Sequence, residues 1–229
     1  IGLICALILP ADFSTAAILF LVCFIMLFIG GAKLKHLGAI IGSGLGFFTL
    51  LILINLAFPG LLPRVDTWEK RLLSFESGNK KENYQAEMAK RAVANGFLFG
   101  KGPGKGHIKN DLYSAQSDFI YASSIEEFGS LFGGVGIVVL YLILFFRSIR
   151  IMNNTESSFG SYVVFGLSFM LVFQSLINMG VGVNLFPVTG QPLPLISMGG
   201  TSILFTCISL GIILNVSRTV YKDSINESV

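Results

Sequence analysis

The chain has 229 residues, of which 53% are apolar and 13% are charged, and it carries a net charge of +3. Its mean hydropathy is +0.74, and a water-soluble domain of this length cannot bury so much apolar surface in one core. The composition therefore excludes an ordinary soluble domain and indicates an integral membrane protein, for which no nucleic-acid partner is expected. The cysteines, Cys5, Cys23 and Cys207, lie in apolar stretches without paired spacing, which is typical of packing residues.

The chain opens on the apolar stub IGLICALIL, without an initiator methionine or a signal-peptide pattern, and we interpret it as a piece of a longer protein. Five apolar stretches follow, each near the ~20 residues that a helix needs to cross the hydrocarbon layer. The sequence predicts an all-α polytopic membrane protein, a helical bundle of five crossings plus the stub. The crossings are residues 14–31, 37–58, about 119–146, 159–180 and about 195–217, with Asp12 and Ser14 expected to cap the first of them.

Residues 59–117 form a long hydrophilic loop that holds most of the Lys and Arg residues. Two segments in it, TWEKRLLSF and YQAEMAKRAVANG, place apolar residues on one face at helical spacing. Either they are short amphipathic helices lying in the lipid headgroup layer, or they are connecting helices packed on the bundle. The two faces comprise Trp68, Leu72 and Phe75, and Tyr84, Met88 and Val93.

The short connections between crossings are basic, which makes their side of the membrane cytoplasmic by the positive-inside rule. Alternation of the crossings then puts the long loop and a short proline-rich loop on the outer face. The expected segments are membrane helices in 1–58, the extracytoplasmic loop 59–117, three membrane helices in 118–217 with the outer loop 181–194, and a cytoplasmic tail, 218–229.

The loop contains the stretch GKGPGKG, residues 100–106. A nucleotide P-loop would need a buried strand before it and a G-K-[S/T] ending that opens a helix, and neither is present. Lys101, Lys105 and the backbone amides of the glycines suit a diphosphate of another kind. The alternative is a basic loop that binds anionic membrane lipids without specificity.

The stretch SAQSDFIYASSIEEFG places Asp118 at the start of a crossing and Glu126 and Glu127 two turns deeper. Ionised groups at that depth are costly and are usually functional. The structural alternatives are that Asp118 caps the helix and that the two glutamates make polar contacts between helices.

The outer turn PVTGQPLPLISMGG has three prolines that predict a rigid, non-helical loop, and we expect it to form a wall over Asp118. Its Thr189, Gln191 and Ser197 either bind sugar hydroxyls or belong to a purely structural loop. His107 has no acid or cysteine at ligand spacing, so no protein metal site is expected.

Three motifs, PADFSTA, GKGPGKG…SDFIYASSIEEFG and NMGVGVNLFPVTGQPLPLISMGGTS, occur with membrane crossings between them. Together they resemble the FtsW/RodA (SEDS) family of polytopic peptidoglycan glycosyltransferases over nearly the whole chain. The family has ten crossings, and the resemblance runs from the end of the fifth through the tenth, so this piece alone is expected to be inactive. The motifs are more similar to division-type FtsW than to elongation-type RodA, which serves cell shape.

The resemblance implies polymerisation of lipid II, with release of undecaprenyl diphosphate, outside the bacterial cytoplasmic membrane. It also implies a class B penicillin-binding protein and other division proteins as partners. The family motif His-Thr-Asp-Phe corresponds to Gln116, Ser117, Asp118 and Phe119, which matches Asp118 to the catalytic aspartate and leaves no imidazole at position 116. A second family acid has Asn110 in its place.

Glycosyl transfer from a diphosphate donor needs a base for the attacking hydroxyl and positive charge for the departing diphosphate. One carboxylate suffices, unlike the paired carboxylates of glycoside hydrolases. Asp118 is the expected base, Lys101, Lys105 or a divalent cation (Mg or Mn) neutralises the diphosphate, and the expected substrate contacts are Gln116, Ser117, Glu126, Thr189 and Ser197.

Two other functions stay open. A lipid-linked precursor flippase or transporter needs polar residues through the membrane, which the crossings at 14–31 and 37–58 almost lack. A non-catalytic division scaffold predicts that Asp118 can be replaced without loss.

Overall fold

The structure of the chain is a computed structural model, which describes residues 2–57, 84–106 and 115–226. It divides into two compact units, Ile1–Glu82 and Asn83–Val229. Every regular element of the described residues is a helix, which confirms the predicted all-α architecture. The helices are α1 (Gly2–Ile8), α2 (Phe13–Ile29), α3 (Leu34–Ala57), α4 (Tyr84–Gly96), α5 (Ile120–Gly129), α6 (Ile137–Asn153), α7 (Ser158–Gly182) and α8 (Gly200–Asn226).

Four helices of the described residues are long and apolar enough to cross a membrane. They correspond to four of the five predicted crossings, while the predicted crossing at 14–31 is the shorter, 17-residue helix α2. Outward-facing apolar side chains on α6 and α8, such as Leu140, Phe146 and Phe205, are more than half exposed, as expected for helices that face lipid. The four long helices are Leu34–Ala57, Ile120–Asn153, Ser158–Gly182 and Gly200–Val220.

In the first unit, α1, α2 and α3 contact one another. Asp12 caps α2, since its side chain accepts the backbone N–H of Thr15 at 3.2 Å and the Thr15 hydroxyl at 2.6 Å. The predicted capping role of Asp12 is confirmed. The rings of Phe13 and Phe48 pack 5.6 Å apart and join α2 to α3.

In the second unit, α7 is the central helix and contacts α4, α5, α6 and α8. Its neighbour, the long helix Ile120–Asn153, is interrupted at Gly129, which has φ +81° and ends α5. Seven residues of wider π-helical turn, Ser130–Gly136, then lead into α6. A positive φ suits glycine and breaks the helical ladder of hydrogen bonds, so nearby backbone groups need partners outside the helix.

The segment 97–102, directly after α4, supplies those partners. Four backbone hydrogen bonds join it to the interruption, and they leave no room for side chains: a Cβ on Gly100 would lie 2.3 Å from the carbonyl oxygen of Glu127. The glycine-rich stretch therefore lies against the broken helix. The bonds run from Lys101 N to Glu126 O (3.0 Å), Gly102 N to Glu127 O (2.9 Å), Ser130 N to Phe97 O (2.8 Å) and Leu131 N to Leu98 O (3.2 Å).

Helix α4 packs on the bundle through a face of small residues. Ala89 and Ala92 are buried in a cluster that includes Phe119 and Ala122. Met88 and Val93 of the predicted apolar face pack against this cluster, and Tyr84 of that face is half exposed. Of the two interpretations for this segment, the packed connecting helix is the one that the structure supports. The other predicted amphipathic segment, TWEKRLLSF, lies outside the described residues.

Helix α8 begins later than predicted, because the turn before it stays non-helical up to Gly199. It continues to Asn226, so most of the expected tail, 218–229, is helical. The predicted crossing at 159–180 agrees with α7 to within two residues at each end.

We expect Gly96→Ala to reduce the free energy of unfolding of the full-length protein by about 1–3 kcal/mol, the usual cost of overpacking. The added methyl carbon would lie 2.1 Å from the backbone oxygen of Ile125. The matched control is Gly211→Ala in α8, where nothing lies within 4 Å of the new atom and Ala has the higher helix propensity. Denaturant unfolding in detergent measures both variants, and equal stability would contradict the close approach of α4 to α5.

Candidate active site

Asp118 lies in the turn formed by residues 115–119, immediately before α5, and is half-buried. Its Oδ1 accepts a hydrogen bond from the hydroxyl of Ser117 at 2.8 Å. The residue at the N-cap of α5 is Phe119, and no side chain caps that helix. Helix capping is therefore not what Asp118 does, which removes the structural alternative considered for it.

The backbone of residues 116–118 is held from outside by three hydrogen bonds to three consecutive carbonyl oxygens. We call this set the carbonyl clamp. The donors come from the proline-rich turn and from α7, so the clamp joins parts of the chain that are 60 to 82 residues apart. Its bonds run from Met198 N to Gln116 O (2.8 Å), from Ser197 Oγ to Ser117 O (2.6 Å) and from Asn178 Nδ2 to Asp118 O (2.9 Å).

The proline-rich turn lies against the carboxylate, as the sequence predicts. A Cβ on Gly190, where φ is +74°, would be 3.9 Å from Asp118 Oδ2. Two amides of α7 fasten the turn: Asn178 Nδ2 donates to Gln191 O at 2.6 Å, and Gln174 Nε2 donates to Pro192 O at 3.1 Å. The turn is therefore anchored to the central helix.

Lys101 and Glu126 form an ion pair, with 3.1 Å between Lys101 Nζ and Glu126 Oε1. The glutamate side chain is fully buried, while that of the lysine is 33% exposed. A buried carboxylate requires such a partner, because an uncompensated charge away from water is costly. Glu126 is thus placed to hold Lys101, and its burial gives it no surface for direct contact with a substrate.

Most backbone amides of the glycine-rich stretch donate to oxygens inside the protein, which corrects, for these amides, the expectation that they cradle a diphosphate. Each N–H of residues 101, 102, 104 and 105 already donates to a protein oxygen, so none of these four is available for phosphate. The acceptors are Glu126 O, Glu127 O, Glu127 Oε2 (3.0 Å) and Gly102 O (3.1 Å), in the order of the donors.

The remaining predicted contacts fall into two groups. Lys105 and Gln116 are exposed, and Ser117 and Thr189 are half-buried, so all four reach the surface. Ser197 is 2% exposed, and its hydroxyl both donates to Ser117 O and accepts the N–H of Leu193 at 2.6 Å. Because that hydroxyl is buried and already both donates and accepts a hydrogen bond inside the protein, Ser197 supports the loops rather than facing a sugar.

Asn178 was not selected from the sequence, although a signal for it exists. It is an amide within an apolar crossing, and polar residues at membrane depth are functional candidates by default. Its role shows only when α5 and the proline-rich turn are placed beside it.

Within the described residues, no three side chains of His, Cys, Asp and Glu lie together as metal ligands. A divalent cation at this site would thus depend on the phosphates of a substrate for most of its ligands.

Fold and site together define a polytopic all-α membrane protein with a carboxylate held at the start of an interrupted membrane helix. Residues 1–222 match the model of the FtsW/RodA/SpoVE family, described as cell cycle protein. The chain belongs to this family, as the resemblance of its motifs implied.

Relatives and a solved structure agree with this assignment. Stage V sporulation protein E of Bacillus subtilis (strain 168) is 34% identical over 209 residues, covering 90% of this chain and 55% of that protein. The "Probable peptidoglycan glycosyltransferase FtsW" of Legionella pneumophila is 34% identical over 221 residues, covering 93% of this chain and 53% of that protein. The chain thus spans about half the length of the curated relatives it matches.

The solved structure is described as "Structural coordination of polymerization and crosslinking by a peptidoglycan synthase complex". It is similar with a TM-score of 0.66 and 27% sequence identity, over 94% of this chain and 58% of that one.

We expect Lys101→Gln to destabilise the full-length protein by about 1–3 kcal/mol, because it removes the ammonium group that pairs with the buried Glu126 carboxylate. The double variant Lys101→Gln/Glu126→Gln removes both charges and is expected to recover part of that loss. Lys105→Gln is the control, since Lys105 forms no ion pair within the described part of the chain. Unfolding in detergent is the measurement, and equal stability of the two single lysine variants would contradict the role of the pair.

Proposed function

We propose that the full-length protein is a peptidoglycan glycosyltransferase that polymerises lipid II into glycan strands, in cell division, at the outer face of the bacterial cytoplasmic membrane. Support comes from the family and from the names of the FtsW relatives. The observation that carries the proposal is the carboxylate of Asp118. It is not a helix cap, it is oriented by Ser117, and it lies beside an anchored turn.

In the proposed reaction, Asp118 accepts the proton of the 4-hydroxyl of the acceptor sugar. The oxygen of that hydroxyl forms the new bond to the anomeric carbon of the donor. The bond from this carbon to the diphosphate breaks, and its electron pair leaves with undecaprenyl diphosphate. Since the diphosphate is a good leaving group, one protein carboxylate is enough, and the chemistry needs no second acid.

Positive charge for the departing diphosphate is assigned to Lys105. Lys105 is exposed and lies four residues beyond Lys101, whose ammonium group is already bound to Glu126. Gln116 and Thr189, which also reach the surface, are the proposed contacts for sugar hydroxyls, and Ser117 orients the base. This distribution separates the residues that meet the substrate from those that hold the loop.

The proposed partner is a class B penicillin-binding protein. The similar solved structure is described as a synthase complex for polymerisation and crosslinking, and crosslinking is the reaction that such a transpeptidase would add. We further propose that residues 59–117 are extracytoplasmic and that the chain from Arg218 onwards is cytoplasmic, because the short basic connections favour that orientation.

We expect Asp118→Asn in the full-length protein to lower the rate of polymerisation of purified lipid II by at least about 100-fold, the lower range for loss of a general base. Asn keeps the size of the side chain and removes the base. The control is Asp12→Asn, because Asn caps a helix about as well as Asp, and its activity should be unchanged. Polymerisation by Asp118→Asn at the wild-type rate would favour a flippase or a scaffold over this enzyme.

If Lys105 binds the diphosphate through its charge, Lys105→Gln should lower kcat/KM for lipid II by roughly ten- to a hundredfold, while Lys105→Arg keeps most of it. Lys90→Gln, which removes an exposed charge from α4, is the control for nonspecific attraction. Rates against lipid II concentration in neutral detergent measure all three variants. Equal losses for the Gln and Arg variants would contradict a charge contact, and equal losses for Lys90 and Lys105 would point to general lipid attraction.

A further inference from the structure

Asn178, on α7, connects two parts of the candidate active site with a single side chain. It is 1% exposed, and its Nδ2 donates to Asp118 O at 2.9 Å and to Gln191 O at 2.6 Å. Both neighbours of that nitrogen are carbonyl oxygens, which accept and cannot donate. This settles the orientation of the amide, because its own oxygen would be repelled from that position.

Burial of this amide is not explained by packing alone. Asn178 Oδ1 is buried and has no hydrogen-bond partner among the described residues. An apolar side chain of similar size would avoid the cost of the unpaired oxygen. What an apolar side chain would not supply is the pair of N–H donors, and these donors serve Asp118 and the proline-rich turn.

The other two hydrogen bonds of the carbonyl clamp hold the backbone immediately before Asp118. Met198 N and Ser197 Oγ hold the carbonyls of the two residues that precede Asp118. With three successive peptide groups fixed from outside, the direction of the Asp118 side chain from its α-carbon is fixed as well. Orientation of a catalytic group matters because a displacement of about 1 Å can cost on the order of 100-fold in rate.

We propose that Asn178 is a positioning residue for Asp118. It acts through the backbone carbonyl of that residue and does not touch the substrate. The effect on catalysis rests on the proposed function, whereas the effect on the backbone of residues 115–122 does not.

Helix α7 provides a matched control for this proposal. Gln174, one turn before Asn178, fastens the same proline-rich turn through its hydrogen bond to Pro192 O. That bond does not involve Asp118. Removing the side chain of Gln174 therefore loosens the turn without removing a donor to the carbonyls of residues 116–118. Removing that of Asn178 loosens the turn and the backbone of Asp118 together.

The experiment compares Asn178→Ala and Gln174→Ala in the full-length protein for thermal stability, kcat and KM with purified lipid II. We expect kcat of Asn178→Ala to fall about 10- to 100-fold, with KM within about threefold of wild type. The Gln174→Ala variant should keep kcat within about threefold at a similar change in melting temperature. Equal losses of kcat in the two variants, or a loss confined to KM, would overturn the proposal.

A second variant covers the case in which Asn178→Ala does not fold. Ser197→Ala removes the donor to the adjacent carbonyl of Ser117 and is expected to lower kcat in the same way, again without a matching change in KM. An unchanged kcat in Ser197→Ala would count against positioning by the carbonyl clamp.

Hydrogen exchange separates this proposal from the proposed function, because it needs no activity. Exchange of the Ser123 amide, whose N–H donates to Phe119 O directly after Asp118, should be at least about tenfold faster in Asn178→Ala than in wild type, and unchanged in Gln174→Ala. If that pattern appears but the wild-type protein does not polymerise lipid II, the positioning role stands and the proposed function fails. If exchange is the same in all three proteins, the positioning role fails, whatever the activity.

Discussion

The structure depends on one constraint: every backbone N–H and C=O at membrane depth needs a partner inside the protein, because lipid offers none. Gly129 interrupts a long apolar helix and so creates backbone groups without helical partners. The segment 97–102 pairs with them through four hydrogen bonds. The glycine-rich stretch is therefore held where it is by the broken helix, and only glycine permits the two backbones to approach within bonding distance.

Backbone groups next to Asp118 likewise have partners inside the protein. Residues 116–118 are non-helical, and their carbonyl groups are satisfied by the proline-rich turn and by α7. Proline supplies no N–H of its own, so the turn has few donors for its own carbonyl groups, and side-chain amides of α7 donate to two of them. Two irregular stretches of the chain thus flank α5, one at each end, and each is fixed by partners distant in sequence.

Charge is distributed according to burial. The fully buried Glu126 forms an ion pair with Lys101 of the glycine-rich stretch, and the Glu127 side chain accepts a backbone N–H of the same stretch. The two lysines of this stretch therefore differ in their partners: Lys101 is paired with Glu126, whereas Lys105 has no ion pair within the described residues.

Composition and apolar run length alone determined the membrane class, the all-helical fold and most crossings, because a span of lipid demands a minimum of consecutive apolar residues. The order of motifs determined the family and pointed to Asp118. Only the tertiary structure decided four other features. These are the break in the helix at Gly129, the hydrogen bonds of the loop amides, the ion pair of Lys101 with Glu126, and the contacts of Asn178 with Asp118 and the proline-rich turn. Each of these features depends on which residue, distant in sequence, lies beside the group in the folded protein. The sequence around Lys101 or Asn178 is compatible with several partners, and the helix packing selects one of them.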